Sequence, residues 1–128
     1  MLFDNRPGPT WADDDGRRDV TARADLLQGS LDLLILKTLE LEPLHGWAIS
    51  KRIQLMSRGV LEVNQGSLYP ALYRLRDRGL VESEHGESEE GRQVKVYTLT
   101  KKGRAALGRE RESWRLFAGA VEAILATG

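Results

Sequence analysis

Between Asn64 and Leu80 the chain reads NQGSLYPALYRLRDRGL, and within it Leu68, Leu72 and Leu75 recur at spacings of four and three. At about 100 degrees per residue these leucines fall on one narrow stripe of a helix, while Ser67, Pro70, Tyr73, Arg74 and Asp77 fall on the opposite half. Such a helix can join a core on one side only. Whatever fold contains it must leave a face bearing tyrosine and arginine outside. Pro70 limits where it begins, because a residue without an N–H sits best in or beside the first turn. A cap at Gly66 or Ser67 is therefore expected, since a start at Asn64 would lose one internal hydrogen bond and bend the helix. Gly79 stops it.

The segments on either side supply the partners. From Gly29, Leu31, Leu34, Ile35 and Leu39 recur at spacings of three and four, with Ser30 as a cap and Asp32 near the positive end. Pro43 ends that helix near Leu41. A second helix is expected from about His45, a turn or capping residue, to Ser57, with Ile49, Ile53 and Met56 on one face and Gly59 as its stop. Leu61 and Val63 flank Glu62 in a piece long enough for one stubby strand. Beyond Gly79, Leu80 and Val81, then Val94, Val96, Tyr97 and Leu99, predict two short strands around an acidic tip from Glu84 to Gly91. Thr100 is the expected cap of a final helix in which Leu107, Trp114 and Val121 repeat every seven residues, with Phe117 and Ile124 at the offset positions.

The order helix, helix, strand, helix, hairpin, long helix predicts a mainly α chain with a small β-hairpin: a winged helix-turn-helix followed by a long C-terminal dimerisation helix. Residues 1–24 carry Pro7, Gly8, Pro9 and the run Asp13 to Asp15 with no sustained period, and predict a flexible N-terminal tail. Phe3 and Trp11 are its large apolar groups, either incidentally exposed or docked on a partner. Residues 25–100 are the expected DNA-binding unit and 101–128 the dimerisation helix. Leu31, Leu34, Leu107, Trp114, Phe117, Val121, Ile124 and Leu125 form the expected interface between two copies.

Charge decides what such a fold can bind. Nineteen basic and nineteen acidic side chains cancel, so attraction to nucleic acid must come from a local patch. Arg74, Arg76 and Arg78 against Asp77 leave two positive charges on the third helix, and pairing of two copies doubles this. Arg74 is the expected contact to a phosphate or a guanine edge, and Arg76, nearer the core edge, a structural pair. Ser67 and the helix N-terminal amides suit a phosphate, while Tyr69 and Tyr73 offer hydroxyls to the backbone. Arg92 and Lys95 on the hairpin stem would track phosphates beside the minor groove. Lys101 and Lys102 open a helix where cations are unfavourable, which leaves a solvated role and a DNA role equally open.

Other chemistries find little support. The chain has no cysteine, and His45 and His85 lie far apart without a carboxylate pair at metal spacing, so neither a metal site nor a cofactor is expected. No phosphate loop, nucleophilic triad or isolated carboxylate pair appears, which argues against an enzyme. The longest apolar stretch, Leu31 to Leu36, contains Asp32, and the first residues lack the basic and apolar regions of a signal peptide. A cytoplasmic protein without membrane association is expected.

LLQGSLDLLILKTLELEPLHGWAIS, GSLYPALYRLRDRGLV and VYTLTKKGRAAL, in that order, resemble the PadR family of bacterial transcriptional regulators over roughly Leu26 to Leu107. The short C-terminus is similar to the compact subfamily with a single helix after the wing. The resemblance implies a homodimeric winged-helix repressor on double-stranded DNA, whose first and last helices pair the copies and whose repression is often relieved by a small hydrophobic or aromatic effector. It assigns Ser67, Tyr69 and Arg74 to DNA, and Pro70 lies in the same SLYPAL segment. Trp114 is either a heptad core residue or, with Phe117 and Trp47, part of a slot for a flat effector. Two features depart from the family pattern: Trp47 stands where tyrosine is more usual, and the tip EHGESEEGRQ is more acidic than a loop against phosphates would be. That acidity, with zero net charge, leaves a second reading, a winged-helix module that binds protein without sequence-specific DNA recognition.

Overall fold

A computed structural model describes residues 28–128. The expected tail, with Phe3 and Trp11, lies outside the described residues. Among those described, the order is α1 (Gln28–Leu41), β1 (Leu44–His45), α2 (Gly46–Met56), α3 (Gln65–Asp77), β2 (Val81–Glu87), β3 (Gln93–Leu99) and α4 (Lys101–Leu125). The strands form one antiparallel sheet in the order β1-β3-β2. This is the winged helix-turn-helix arrangement with a long terminal helix.

α1 lies at the centre. Leu31, Ile35, Leu36 and Leu39 enter the core, and the buried Thr38 hydroxyl donates to the Leu34 carbonyl at 2.7 Å, so no polar group is stranded there. Ser30 is inside this helix, which already runs from Gln28, and it does not act as the cap. Ile49 and Ile53 of α2 join the same core, but Met56 does not: it stands exposed at the end of the helix, where the backbone turns away through Arg58 (φ 56°) and Gly59 (φ 80°).

The stubby strand is elsewhere than expected. Leu61 and Val63 are half-buried against the core without strand pairing, and the edge of β3 is taken by Leu44 opposite Tyr97 and His45 opposite Val96. A two-residue strand is set by the edge available to it, which local alternation does not reveal. The hairpin is also longer than expected. Pairing continues from Val81 opposite Leu99 to Glu87 opposite Gln93, leaving only Ser88 to Arg92 as the turn. The added residues of β2, Glu84 to Glu87, carry no apolar side chain, so the alternation that would announce this part of the strand is absent.

α3 is capped by Asn64, whose side chain accepts from the Ser67 N–H at 2.8 Å. The helix thus starts earlier than Pro70 suggests, because a good N-cap stabilises by about 1 kcal/mol, enough to offset one missing internal bond. Leu68, Ala71, Leu72 and Leu75 are 0% exposed. At the far end Gly79 adopts φ 76°, its N–H donating to the Arg76 carbonyl and the Leu80 N–H to that of Leu75, a Schellman closure.

Thr100 caps α4 as expected, accepting from the Gly103 N–H at 2.9 Å while donating to the Gly79 carbonyl at 2.7 Å. The core does not stop at Thr100. Gly103, Ala106 and Leu107 are buried, and a Cβ at position 103 would overlap the Leu80 carbonyl oxygen. Leu107 and Leu31, both expected at an interface between copies, pack into the chain's own core at 2% and 9% exposure. Leu34 is half-buried. Past Leu107 the apolar side chains emerge, with Ile124 and Leu125 each 72% exposed.

Candidate nucleic-acid interface

Because three leucines and Ala71 turn inward, α3 presents an open ridge and two flanks. Pro70, Tyr73 and Asp77 lie on the ridge and are exposed; Ser67 is half-buried beside it. The Ser67 amide, expected to be free for a phosphate, already donates to Asn64, so the anion position at this N-terminus is filled from within.

On the flank towards α1, Arg74 Nη2 donates to Asp32 Oδ1 at 3.2 Å, and Arg78 Nη1 lies 3.8 Å from Asp32 Oδ2. On the flank towards the hairpin, the Tyr69 and Tyr73 rings are 6.2 Å apart and the Arg76 guanidinium lies 5.3 Å from the Tyr73 ring centroid. The expected ion pair on this helix is therefore made by Arg74 and not by Arg76. Arg76 has no carboxylate partner among the described residues and sits over an exposed tyrosine, whereas Arg74 is the one held in an ion pair. Asp32 was read as a helix-start carboxylate; its second use could not be seen without knowing that α1 and α3 cross.

Tyr69 is half-buried. Its hydroxyl packs so closely on Gly46 that a Cβ there would lie 2.5 Å from the oxygen, which explains the glycine at the start of α2. Here α3, the start of α2 and the hairpin enclose a cleft of about 280 Å³, lined by His45, Gly46, Tyr69, Tyr73, Lys95 and Tyr97, with Gln93 and Val94 at one side. Tyr97 is 0% exposed and its hydroxyl has no hydrogen-bond partner among the described residues. Burial raises its pKa, and the neighbouring Tyr73 and Tyr69 phenols push the same way against Arg76, so the group stays a protonated donor. Leaving such a hydroxyl unpaired costs about 1–3 kcal/mol. The sequence hid it: Tyr97 alternates with Leu99 and reads as a core residue of a strand. Lys95 is exposed on the stem and Arg92 at the turn, as expected of residues that could meet a backbone.

The aromatic slot divides. Trp114 and Phe117 come together at 5.8 Å, tilted by 45°. Trp47 is on another surface, 57% exposed, stacked on His45 at 6.4 Å with Lys51 Nζ 5.6 Å from its ring. Among the described residues no group of three potential metal ligands gathers, and no helix is long and apolar enough to cross a membrane.

Comparison with known proteins places this geometry. Residues 35–109, from Ile35 in α1 to Arg109 in α4, match the model of the transcriptional regulator PadR-like family. A transcriptional regulator from Mycobacterium tuberculosis is 43% identical over 60 residues, 47% of this chain and 55% of that protein. Among solved structures, a PadR-like transcriptional regulator from Bacillus cereus superposes with a TM-score of 0.69 at 28% identity, covering 81% of this chain and 99% of the other. A PadR family transcriptional regulator from Eggerthella lenta gives 0.69 at 28% identity over 88% and 96%.

Proposed function

Since the chain belongs to the PadR-like family of transcriptional regulators, we propose that it is a homodimeric cytoplasmic repressor of a pseudo-palindromic operator. The two α3 helices enter successive major grooves about 34 Å apart. One observation carries this reading: the leucine face of α3 is fully spent on the core while Pro70, Tyr73 and Arg76 on its other side stand open to solvent. A helix so placed reads base edges from its ridge, with Ser67, Tyr69, Tyr73 and Arg74 towards the strand and Lys95 and Arg92 following the flanking backbone. Arg74 reaches a phosphate by exchanging Asp32 for it.

Pairing of copies falls to the outer part of α4, where among the described residues Trp114, Ile124 and Leu125 stand exposed and Phe117 and Val121 are half-buried, together with half-buried Leu34. A flat effector stacked on Trp114 and Phe117 would favour a dimer whose α3 helices are wrongly spaced and so release the operator.

A mobility-shift assay on DNA upstream of the coding sequence, repeated over a range of salt, tests the core of this. Steep loss of binding with salt is the expected result. The exposed acidic groups Glu87, Glu89 and Glu90 at the hairpin turn favour the second reading, a protein-binding module. No shift at micromolar protein would select it.

A further inference from the structure

The helix starts of this fold are not alike in what satisfies them. Asn64 caps α3 and Thr100 caps α4 through their side chains, but His45 at the start of α2 makes no side-chain cap bond. That uncapped start opens into the cleft beneath α3, where an independent feature stands: the Tyr97 hydroxyl, fully buried and without a partner among the described residues. The start of α2 lacks a side-chain acceptor and the Tyr97 phenol lacks any acceptor among the described residues, and Gly46 and Tyr97 line the same cleft.

We propose that this cleft is a seat for one phosphodiester of the DNA backbone, with the Tyr97 hydroxyl and the first-turn amides of α2 as neutral donors and Lys95 as the counter-charge. The inference rests on the DNA-binding reading and adds to it a specific phosphate site outside α3. Three things select this occupant. No carboxylate lines the cleft, and Lys95 stands at its edge with Arg76 beside Tyr73. The volume holds a phosphate and a few waters. Its position, between the helix that occupies the major groove and the hairpin that flanks it, is where a strand of the duplex must pass. Tyr69 and Tyr73 form the walls, so their rings pack on sugar while the floor binds the anion.

The design separates binding from stability. Removing a hydroxyl that has no partner among the described residues should not weaken the fold, yet it deletes a donor to a charged group in the proposed complex. Tyr97→Phe should therefore keep or raise the melting temperature while weakening binding to a mixed-sequence fluorescent duplex about ten-fold. Lys95→Gln should flatten the salt dependence by roughly 0.9 per protomer in the log–log slope. Wild-type binding of the duplex with unchanged affinity in Tyr97→Phe overturns the seat and leaves the regulator reading intact. Absence of duplex binding by the wild-type protein overturns both. Loss of binding accompanied by a lowered melting temperature would make the hydroxyl structural and overturn the assignment. Stabilisation of the wild type, but not of Tyr97→Phe, by inorganic phosphate, with duplex affinity equal in the two, would assign the cleft to a free anion and remove the DNA strand as occupant.

Discussion

Arg74 on the exposed side of α3 donates to Asp32 of α1 at 3.2 Å, across 42 residues of sequence. The same carboxylate reaches Arg78. With Asp77 and Asp32 both counted, the three arginines of α3 leave a single positive charge on this surface. Asp32 therefore lowers the positive charge that this surface offers to an anion.

Replacing it should be visible in binding and nearly silent in stability. Asp32→Asn frees both guanidinium groups, and duplex affinity at low salt should rise about ten-fold with a steeper salt slope. The ion pairs are largely exposed on the arginine side, so the loss in folding free energy should stay below about 1 kcal/mol. Anisotropy titrations at several salt concentrations, with a urea unfolding curve, check both.

Arg76 and Arg74 make contrasting targets. Arg76→Ala breaks no ion pair and should weaken DNA binding about ten-fold with an unchanged melting temperature. Arg74→Ala should weaken it as well, with a shift of at most a few degrees because Asp32 keeps Arg78. Differential scanning fluorimetry beside a mobility shift would report both quantities.

Val121→Asp places a charge at a half-buried position on the outer part of α4, and if copies pair there as proposed it should give a monomer by analytical ultracentrifugation. The helical circular dichroism of the winged core should survive, because that core ends with Leu107. On the effector reading, Trp114→Ala should abolish fluorescence quenching by planar aromatic compounds.

Gly103→Ala should cost about 1–3 kcal/mol, since the added methyl meets the Leu80 carbonyl with no flexible side chain to give way. Thermal unfolding measures it.

Tyr97 supplies a pH signature. Its folded pKa is raised, so folded and unfolded chains bind the same proton below the unfolded value of about 10, and this group adds no pH dependence there. Above that value the unfolded chain ionises first and stability is lost until the folded pKa is passed. Tyr97→Phe should lessen the alkaline decline in a series of urea curves.

The parts of the fold visible in the sequence were those with a sharp period or a capping side chain. Leu68, Leu72 and Leu75 announced which way α3 faces, and Thr100 announced where α4 begins. What stayed hidden depended on elements meeting in space. Leu44 and His45 became a strand only because β3 offers an edge, and Leu107 is buried where α4 packs on α1. The same holds within the candidate site. A heptad register cannot tell a core position from an interface position, and an aspartate three residues into a helix does not reveal the arginines of a crossing one.

The joint at Thr100 ties two ends together. Its hydroxyl grips the carbonyl of Gly79, the residue that closes α3, while its oxygen anchors the first turn of a helix of 25 residues, about 37 Å of rigid rod. With its first two turns embedded, that rod has no slack at its root. Thr100 is thus the point through which a tilt of the outer rod would reach the end of α3.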